Sequence, residues 1–295
     1  MDIIIENIGK IKEAKMNLGK LTLVAGANDS GKSTLLRSIY AGISALSDEF
    51  TTNDFLDEFK GSMLKVGAKN GKIELKDKII INIDKINTIF NKECLEDIPN
   101  VYYIDDPSII DYEYDFICKQ SSVVYHKKDL YGDIYNSVDI LKMDELDELG
   151  KLVVKGNSIY VEKEELYPNV NISSGAKLFL IIKKLITSEL IKSGDFLIFD
   201  EPEKHLHPNW QLKFTELIAN IIIKNKINVI LSTHSPYMLN AVEVYATKCN
   251  IEPKFYMTEE LGGEITLIDE TLKLDEIYRT LSHAFDTLEE VMYRE

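Results

Sequence analysis

The sequence has few cysteines and no long apolar run, and each scarcity excludes a class of protein. Three cysteines occur among the 295 residues, Cys94, Cys118 and Cys249, and no two of them form a Cys-x-x-Cys pair. An odd, widely spaced set predicts neither a disulfide framework nor a zinc site. No apolar stretch approaches the roughly 18 residues that span a bilayer, and the first residues lack the pattern of a signal peptide. We therefore expect a cytoplasmic protein that does not bind membranes.

Basic residues are also in the minority, with 34 Lys and Arg against 49 Asp and Glu, a formal net charge of −15. Such a charge repels a phosphate backbone on average and argues against broad, sequence-independent DNA binding. Local basic groups occur at residues 126–128 and 183–184, and solvated helix faces are the usual setting for such groups. Direct DNA binding at a local patch stays open.

Internal repeats, low-complexity tracts and linkers rich in Pro, Gly or Ser are absent as well. We therefore predict a single α/β domain over residues 1–295. The acidic, tyrosine-rich segment 105–171 is predicted to be an inserted lobe, and 272–295 a C-terminal helix. The expected local elements are a hairpin of strands 3–6 and 21–24, a helix over 32–46, antiparallel strands 72–76 and 79–83, a core strand 101–104, a helix near 137–149, a hairpin near 152–162 and a helix over 178–191.

A phosphate-binding loop, Gly-Ala-Asn-Asp-Ser-Gly-Lys-Ser-Thr, occupies residues 26–34. An apolar strand pattern precedes it and a helical pattern follows, which is the order that such a loop requires. Backbone N–H groups of the loop and the helix N-terminus behind it favour phosphate oxygens. We predict that Lys32 reaches the β- and γ-phosphates of ATP and that Ser33 holds Mg²⁺. The predicted nucleotide-binding residues of this loop are Gly26, Asn28, Asp29, Ser30, Gly31, Lys32, Ser33 and Thr34.

Two later strand patterns end in groups suited to catalysis. The apolar run 196–199 is followed by Asp200 and Glu201, and the β-branched run 227–233 is followed by His234. The carboxyl ends of parallel strands lie beside the phosphate loop in an α/β sheet. We predict that Asp200 stabilises the Mg²⁺ shell and that Glu201 accepts a proton from the attacking water. We predict that His234 senses the γ-phosphate, so the predicted catalytic residues are Glu201 and His234.

A second anion site is predicted where residues 171–177, Asn-Ile-Ser-Ser-Gly-Ala-Lys, open a long apolar helix. In isolation, hydroxyl residues and a glycine at a helix start indicate only an N-cap. Beside a complete phosphate loop, they suggest a head-to-tail homodimer with ATP between the two copies. The residues assigned to this site are Ser173, Ser174, Gly175 and Lys177. The spacing of His205 and His207 suits an interface loop better than a metal site.

Four segments carry a resemblance to a known family: 26–34, 172–177, 200–208 and 232–236. They resemble ABC-type ATPases, and more narrowly the AAA ATPase heads of the RecF, structural-maintenance-of-chromosomes (SMC) and overcoming-lysogenisation-defect (OLD) families and small anti-phage ATPases. The resemblance implies an α/β P-loop NTPase fold of ABC type, with a mixed central sheet, an antiparallel β subdomain and an inserted helical lobe. It also implies that residues 173–175 of one copy close on the γ-phosphate held by the other, with Glu201 as the base and His234 as the switch.

The sequence also departs from that family. Its members place a glutamine after the first helix and a core strand, but none occurs between Thr34 and Lys119, which leaves Gln120 as a candidate. Ser174 stands where transporter ATPases have glycine, and segment 105–171 lacks long heptads. The resemblance implies an ATPase that controls an effector encoded nearby, such as a nuclease or toxin in anti-phage defence. A DNA-repair or DNA-end clamp and, less favoured, the ATP-driving subunit of a transporter stay as alternatives.

Overall fold

The residues that the structure describes form one eleven-stranded sheet and a separate three-stranded sheet. The structure is a computed structural model that describes residues 1–60, 64–76, 78–84, 88–91, 98–119 and 123–282. Its strands are β1 Asp2–Ile8, β2 Ile11–Asn17, β3 Leu21–Ala25, β4 Asn70–Leu75, β5 Lys78–Asp84, β6 Thr88–Phe90, β7 Val101–Ile104, β8 Lys151–Lys155, β9 Ser158–Glu162, β10 Leu166–Pro168, β11 Phe196–Asp200, β12 Asn228–Thr233, β13 Lys254–Leu261 and β14 Glu264–Asp269.

Helices flank both sheets. The α-helices are α1 Lys32–Ser44, α2 Thr52–Glu58, α3 Tyr114–Lys119, α4 Tyr125–Asn136, α5 Ser174–Thr187, α6 Pro208–Asn225 and α7 Pro236–Lys248. Short 3₁₀ turns occur at Pro107–Asp111, Asp144–Leu149, Asn169–Asn171 and Pro202–His205, and residues 274–282 are helical. Over the ranges just given, no helix combines the length and the apolar character needed to cross a membrane.

The large sheet has a parallel half and an antiparallel half, in the order β6-β5-β4-β1-β2-β14-β13-β3-β12-β11-β7. Strands β13, β3, β12, β11 and β7 run parallel, whereas β1, β2, β4, β5 and β6 pair antiparallel. Strands β3 and β11 are buried along their whole length, as expected of parallel strands covered on both faces. The predicted mixed sheet with an antiparallel β subdomain is confirmed.

Alternation along the central strands divides the core into two layers. In β11, Leu197 and Phe199 face the layer that holds α5, α6 and α7, whereas Phe196 and Ile198 face the layer that holds α1. Neighbouring residues of a strand point to opposite faces of the sheet, so one apolar strand supplies both layers. The strand ends at the sheet edge are thereby held between two rigid layers.

The predicted pairing of strands 3–6 and 21–24 is wrong. Strand β1 pairs with β2, with Ile5 opposite Ala14, and β3 lies between β12 and β13. Strand β2 alternates buried and exposed residues, which suits an antiparallel strand with one solvated face, whereas β3 is buried on both faces. Because β3 is apolar throughout, it lies in the buried parallel part of the sheet instead of pairing with β1.

Segment 105–171, which is predicted to be an inserted lobe, contains one wrong element and one confirmed element. The helix predicted near 137–149 is a loop followed by the 3₁₀ turn Asp144–Leu149, and the long helix is α4 instead. Backbone N–H groups of Ile140 and Leu141 both donate to the carbonyl of Thr187, which binds the loop to the end of α5. The hairpin near 152–162 is confirmed as β8 and β9.

The remaining predicted elements agree with the structure within a few residues. Strands 72–76, 79–83 and 101–104 are present as β4, β5 and β7, and the helix that follows the phosphate loop is α1. The helix predicted over 178–191 begins and ends four residues earlier, as α5. Of the predicted C-terminal helix, residues 274–282 are helical, and 283–295 lie outside the described residues.

Candidate functional site

Two glycines shape the phosphate loop between β3 and α1. A Cβ on Gly26 would lie 2.2 Å from the Thr258 hydroxyl and 2.6 Å from the Ser30 hydroxyl. Gly31 has a φ of +83°, and a Cβ there would lie 2.2 Å from the Ile265 side chain. Only glycine fits such contacts and such a backbone without strain. Strands β13 and β14, which carry Thr258 and Ile265, therefore form the wall against which the loop is folded.

The loop closes around the amine of Lys32. That amine donates to the carbonyl oxygens of Gly26, at 2.9 Å, and Ala27, at 2.7 Å. It also lies 3.0 Å from Oε1 of Glu201, although both side chains are buried. Burying an amine is costly unless hydrogen bonds and an opposite charge compensate it, and here both are present. The structure thus brings a predicted phosphate-binding residue and the predicted base into contact.

The other predicted loop residues lie around this amine. Asn28 and Asp29 are exposed at the tip of the loop, and the Asp29 carboxylate pairs with the amine of Lys10 at 3.0 Å. Ser33 and Thr34 lie in the first turn of α1 and are half-buried. The loop therefore has an exposed tip, and its two hydroxyl residues lie with Lys32 at the start of α1.

Asp200 ends β11 and both of its carboxylate oxygens accept hydrogen bonds. The Tyr103 hydroxyl donates to Oδ2 at 2.8 Å, and the Ser232 hydroxyl donates to Oδ1 at 2.6 Å. Ser232 in turn accepts the backbone N–H of Glu201 at 3.0 Å. Parallel pairing aligns Asp200 with Ser232, and places Ser232 beside β3 just before the phosphate loop. The structure confirms that the two acids lie close to the phosphate loop, as predicted.

Glu201 has an unusual backbone and a crowded carboxylate. Its φ of +50° is rare for a residue with a side chain, and such strain clusters at functional sites. Oε2 lies 2.5 Å from the Lys204 amine and 3.5 Å from Nδ1 of His234, while Oε1 faces Lys32. Burial alone would raise the pKa of Glu201, but Lys204 and Lys32 together lower it to about 2. The carboxylate is therefore charged at neutral pH.

His234 follows β12 and lies over a buried acid, Glu203. Oε1 of Glu203 accepts from the Thr233 hydroxyl at 2.6 Å and from the His234 N–H at 3.1 Å. Burial raises the pKa of Glu203. Among the described residues, Nδ1 of His234 and Oε2 of Glu203 are buried and make no hydrogen bond. Unsatisfied buried polar atoms are uncommon, so their presence here is consistent with a site that accepts a polar ligand.

The oxygen atoms near the loop fit Mg²⁺. That ion takes one or two carboxylates together with phosphate oxygens and water, rather than a cage of protein ligands. Asp200 and Ser33 offer one carboxylate and one hydroxyl of this kind. Within the ranges that the structure describes, no group of three or more His, Cys, Asp or Glu side chains is arranged to hold a metal. The residues therefore suit a metal that arrives with the nucleotide.

The predicted second anion site lies at the start of α5. The Ser173 hydroxyl caps the helix by accepting a backbone N–H at 3.3 Å, and Ser174 begins it. A Cβ on Gly175 would lie 2.9 Å from the carbonyl of His205. In the described part of the chain, no hydrogen bond or ion pair joins residues 173–177 to the phosphate loop of the same copy. The role of this site stays a prediction.

Lys177 does not extend freely from α5. Its buried amine pairs with the Asp111 carboxylate at 2.6 Å and so connects α5 to the 3₁₀ turn that follows β7. The predicted contact of this amine with nucleotide would need that ion pair to open. Gln120, the candidate for the family's glutamine, lies outside the described residues.

Several contacts at this site were missed from the sequence. Tyr103 and Thr258 come from strands that carry no motif, and Thr258 is more than 200 residues from the loop that it touches. Lys204 lies within the segment 200–208, where only its sequence proximity to Glu201 could have pointed to the ion pair. Side chains that act across strands leave no periodic signal, so only the sheet order reveals them.

The chain is similar in sequence to several known proteins. Residues 173–239 match the family model of an AAA ATPase domain. The chain is 26% identical to the retron Vc95 probable ATPase of Vibrio cholerae serotype O1 biovar El Tor, over 73% of this chain and 40% of that protein. It is 25% identical to the Septu protein PtuA of Bacillus thuringiensis, over 81% of this chain and 72% of that protein. The chain thus spans less than half the length of the retron protein.

Solved structures show the fold. An SMC head bound to the C-winged helix domain of ScpA superposes with a TM-score of 0.59 at 14% identity, over 93% of this chain and 98% of that one. At such identity, the likeness concerns the fold alone. The predicted resemblance to AAA ATPases is confirmed over residues 173–239, and the fold is that of an SMC head.

Proposed function

We propose that this chain binds ATP with Mg²⁺, hydrolyses the ATP and does so as a homodimer that controls a partner protein. The observation that carries the proposal is the contact between the Lys32 amine and the Glu201 carboxylate, 3.0 Å apart, at the end of the phosphate loop. A phosphate-binding cation and a carboxylate that can take a proton meet there, with Asp200 next in sequence. Among the residues that the structure describes, no other group matches phosphoryl transfer so closely.

The first step is an exchange of partners at Lys32. Its amine now faces two backbone carbonyls and Glu201. The phosphates of ATP carry more charge than the carbonyls and fit the N–H groups of the loop, so they replace these partners. Entry of the triphosphate therefore releases Oε1 of Glu201. The same exchange couples binding of the substrate to liberation of the base.

The second step is proton transfer from water. Glu201 is ionised and buried, and we assign it to the γ-phosphate because it contacts Lys32 at 3.0 Å. A carboxylate held by two lysines is a weak base, so loss of the Lys32 contact increases its basicity. Bound Mg²⁺, held by Ser33 and Asp200, would supply charge stabilisation of the phosphate oxygens. His234, whose Nδ1 lacks a hydrogen-bond partner in the described residues, is assigned to contact the γ-phosphate.

Dimerisation supplies the second side of the nucleotide. Residues 173–175 do not bond to the phosphate loop of their own copy in the described part of the chain, yet they lie at the N-terminus of α5, and helix N-termini favour anions. A second copy, placed head to tail, would bring them to the γ-phosphate. We therefore assign Ser173, Ser174 and Gly175 to the ATP held by the partner copy.

The biological role is proposed from the relatives. One is a retron's probable ATPase and the other is a Septu protein. We assign this chain to anti-phage defence, in which closure on ATP controls an effector, a nuclease or toxin, encoded nearby. The formal charge of −15 disfavours general DNA binding and favours regulation through a protein partner.

Phosphate release and light scattering by the purified protein test the enzymatic part. We expect Lys32→Ala to abolish ATP binding, and Glu201→Gln to keep binding while slowing hydrolysis roughly 10²- to 10⁴-fold and accumulating an ATP-bound dimer. Glu216→Gln changes an exposed glutamate on α6 and serves as the matched control with unchanged activity. Hydrolysis by Glu201→Gln at the parental rate would exclude Glu201 as the base.

The partner is tested separately in the native host. Affinity capture of the tagged Glu201→Gln chain with ATP present should retain a protein encoded by a neighbouring gene, and Lys32→Ala should lose it. Retention by both variants alike would contradict control through nucleotide-driven closure.

A further inference from the structure

Tyr103 is a buried side chain on β7 that contacts Asp200 and has no role in the function proposed so far. We infer that Tyr103 is a positioning residue, whose hydroxyl orients the Asp200 carboxylate for binding Mg²⁺. This inference rests on the proposed function, because it concerns the same site. It adds a residue that neither the motifs nor the resemblance identified.

The hydrogen bonds of Asp200 carry the first step. Its two oxygens each accept one donor, the Tyr103 hydroxyl at 2.8 Å and the Ser232 hydroxyl at 2.6 Å. An ionised carboxylate has about four acceptor positions, so two donors leave further lone pairs for a metal shell. Two donors on opposite oxygens also fix the plane of the group. Removing either donor would allow the carboxylate to rotate.

The ring of Tyr103 is itself held in place. It is 1% exposed, and it packs edge-on against the His126 ring with centroids 4.7 Å apart. The Tyr40 ring of α1 lies on another side, 6.0 Å away. His126 belongs to α4 and its Nδ1 lies 2.7 Å from the buried Glu58 carboxylate of α2. A side chain locked on several sides can set the orientation of the group to which it bonds.

The end of β7 explains why Tyr103 has this contact. Parallel pairing places Ile104 opposite Phe199, so Asp105 follows next to Asp200. Two neighbouring carboxylates would repel each other, but Asp105 is turned to His126 at 3.3 Å and Lys127 at 3.2 Å. Tyr103, two residues earlier on the same face as Asp105, is the β7 side chain that reaches Asp200. This chain has no glutamine at the end of β7. The Tyr103 side chain of β7 nevertheless contacts Asp200, the carboxylate that we assign to Mg²⁺.

Tyr102 offers a matched control one residue away. It points to the opposite core layer, where its hydroxyl donates to the Asp133 carboxylate of α4. Both tyrosines are buried, and both donate to an aspartate. Of the two tyrosines, only Tyr103 donates to Asp200. Replacing either tyrosine with phenylalanine removes one hydroxyl, but only the Tyr103 substitution is expected to change Mg²⁺ binding.

The test measures how binding of a fluorescent ATP analogue depends on Mg²⁺, in the Glu201→Gln background, which keeps nucleotide intact. We expect Tyr103→Phe to raise the Mg²⁺ concentration at half-saturation about 3- to 10-fold, the effect of losing one hydrogen bond of ordinary net strength. Analogue binding in EDTA should stay unchanged. Mn²⁺ also binds oxygen ligands, and as a transition metal it binds them more tightly. In Mn²⁺ the difference between the midpoints of Tyr103→Phe and its parent should therefore be smaller. Tyr102→Phe should leave the Mg²⁺ midpoint unchanged.

Two outcomes would overturn the inference while leaving the proposed function intact. One is an unchanged Mg²⁺ midpoint in Tyr103→Phe, and the other is an equal shift in Tyr102→Phe. If the parental chain shows no Mg²⁺-dependent analogue binding, the proposed function itself fails. Thermal unfolding without nucleotide checks that each variant folds. Should Tyr103→Phe not fold, Ser232→Ala removes the other donor to Asp200, and an unchanged midpoint there would equally contradict the role of these donors.

Discussion

The Lys32 amine and the Glu201 carboxylate form a buried ion pair, with Nζ and Oε1 3.0 Å apart. The pair joins the helix that follows β3 to the strand end of β11. Because each partner is also a group that we assign to ATP chemistry, the substrate has to separate them. The proposed base is therefore in contact with the proposed phosphate-binding lysine.

Lys204 is expected to restrain the same base. Its amine lies 2.5 Å from Oε2 of Glu201, and together with Lys32 it keeps the pKa of that carboxyl at about 2. In Lys204→Met the pKa of Glu201 rises, so the acid limb of the activity profile moves to higher pH. A stronger base at neutral pH should raise kcat about 2- to 5-fold with little change in ATP affinity. Phosphate release between about pH 3 and pH 8 measures both effects.

The control for this prediction is Lys15→Met, which removes an exposed lysine of β2 paired with Glu13. It should leave the rate and the pH profile unchanged. A slower Lys204→Met enzyme would show that Lys204 assists catalysis instead of restraining it.

Thr258 is expected to stabilise the phosphate loop for binding. Its hydroxyl lies 2.6 Å from that of Ser30 and donates to the Ala25 carbonyl at 3.2 Å. Thr258→Val keeps the shape and removes these bonds, so the loop is less ordered before nucleotide arrives. Loss of about 1 kcal/mol corresponds to roughly 5-fold weaker binding of an ATP analogue, measured by titration. Thr266→Val on β14 is the matched control, and equal weakening by both variants would contradict this role.

Asp129 is expected to destabilise the fold above neutral pH. Burial, with a further contribution from Asp133, raises its pKa to about 7. Because the folded state holds this proton more tightly than the unfolded state, the free energy of unfolding falls as pH rises from about 4 to about 7. Asp129→Asn removes that loss and still accepts the Tyr40 hydroxyl. Above about pH 7 the variant should be more stable by about 2–4 kcal/mol, and the gain should vanish near about pH 4.

Urea unfolding across this pH range measures the difference. Asp115→Asn, at an exposed aspartate of α3, should show no such pH-dependent gain. A constant difference between parent and Asp129→Asn at all pH values would show that Asp129 is not the titrating group.

His126 is expected to be important for stability. Its Nδ1 lies 2.7 Å from the Glu58 carboxylate, which is fully buried. His126→Ala leaves that carboxylate without its closest partner, which costs about 3–5 kcal/mol of unfolding free energy. Burial alone lowers the pKa of His126, but Asp105 and Glu58 raise it. The contribution of its charge is therefore complete below about pH 6.5 and is lost as pH rises through the raised pKa.

Chemical unfolding at two pH values measures this effect. The gap between parent and His126→Ala should be wider below about pH 6.5 than in mildly alkaline buffer. His207→Ala changes an exposed histidine and should cost less than about 0.5 kcal/mol. A gap that widens with pH would contradict the charged state assigned to His126.

Local patterns allowed the loop, the acids and most strands to be predicted, because their signals lie within a few residues. Gly26 and Gly31 are needed for contacts and a backbone shape that the motif already implies. The start of the lobe was harder to predict. Helix α4 buries His126 and Tyr131 beside only two aliphatic residues, Leu130 and Ile134, so its apolar periodicity is weak. The pairing of β1 with β2 instead of β3 depended on which strands other elements cover.

The amino-acid sequence by itself determined the phosphate loop, the acidic strand end at Asp200 and the class of fold, because glycine geometry and apolar periodicity act over short distances. Tertiary structure alone decided that Tyr103 and Ser232 hold Asp200, that Thr258 holds the loop and that Lys32 pairs with Glu201. These contacts join residues from 32 to 228 positions apart, and they depend on the order of strands in the sheet. That order is set by which faces are buried, a property of the whole folded chain.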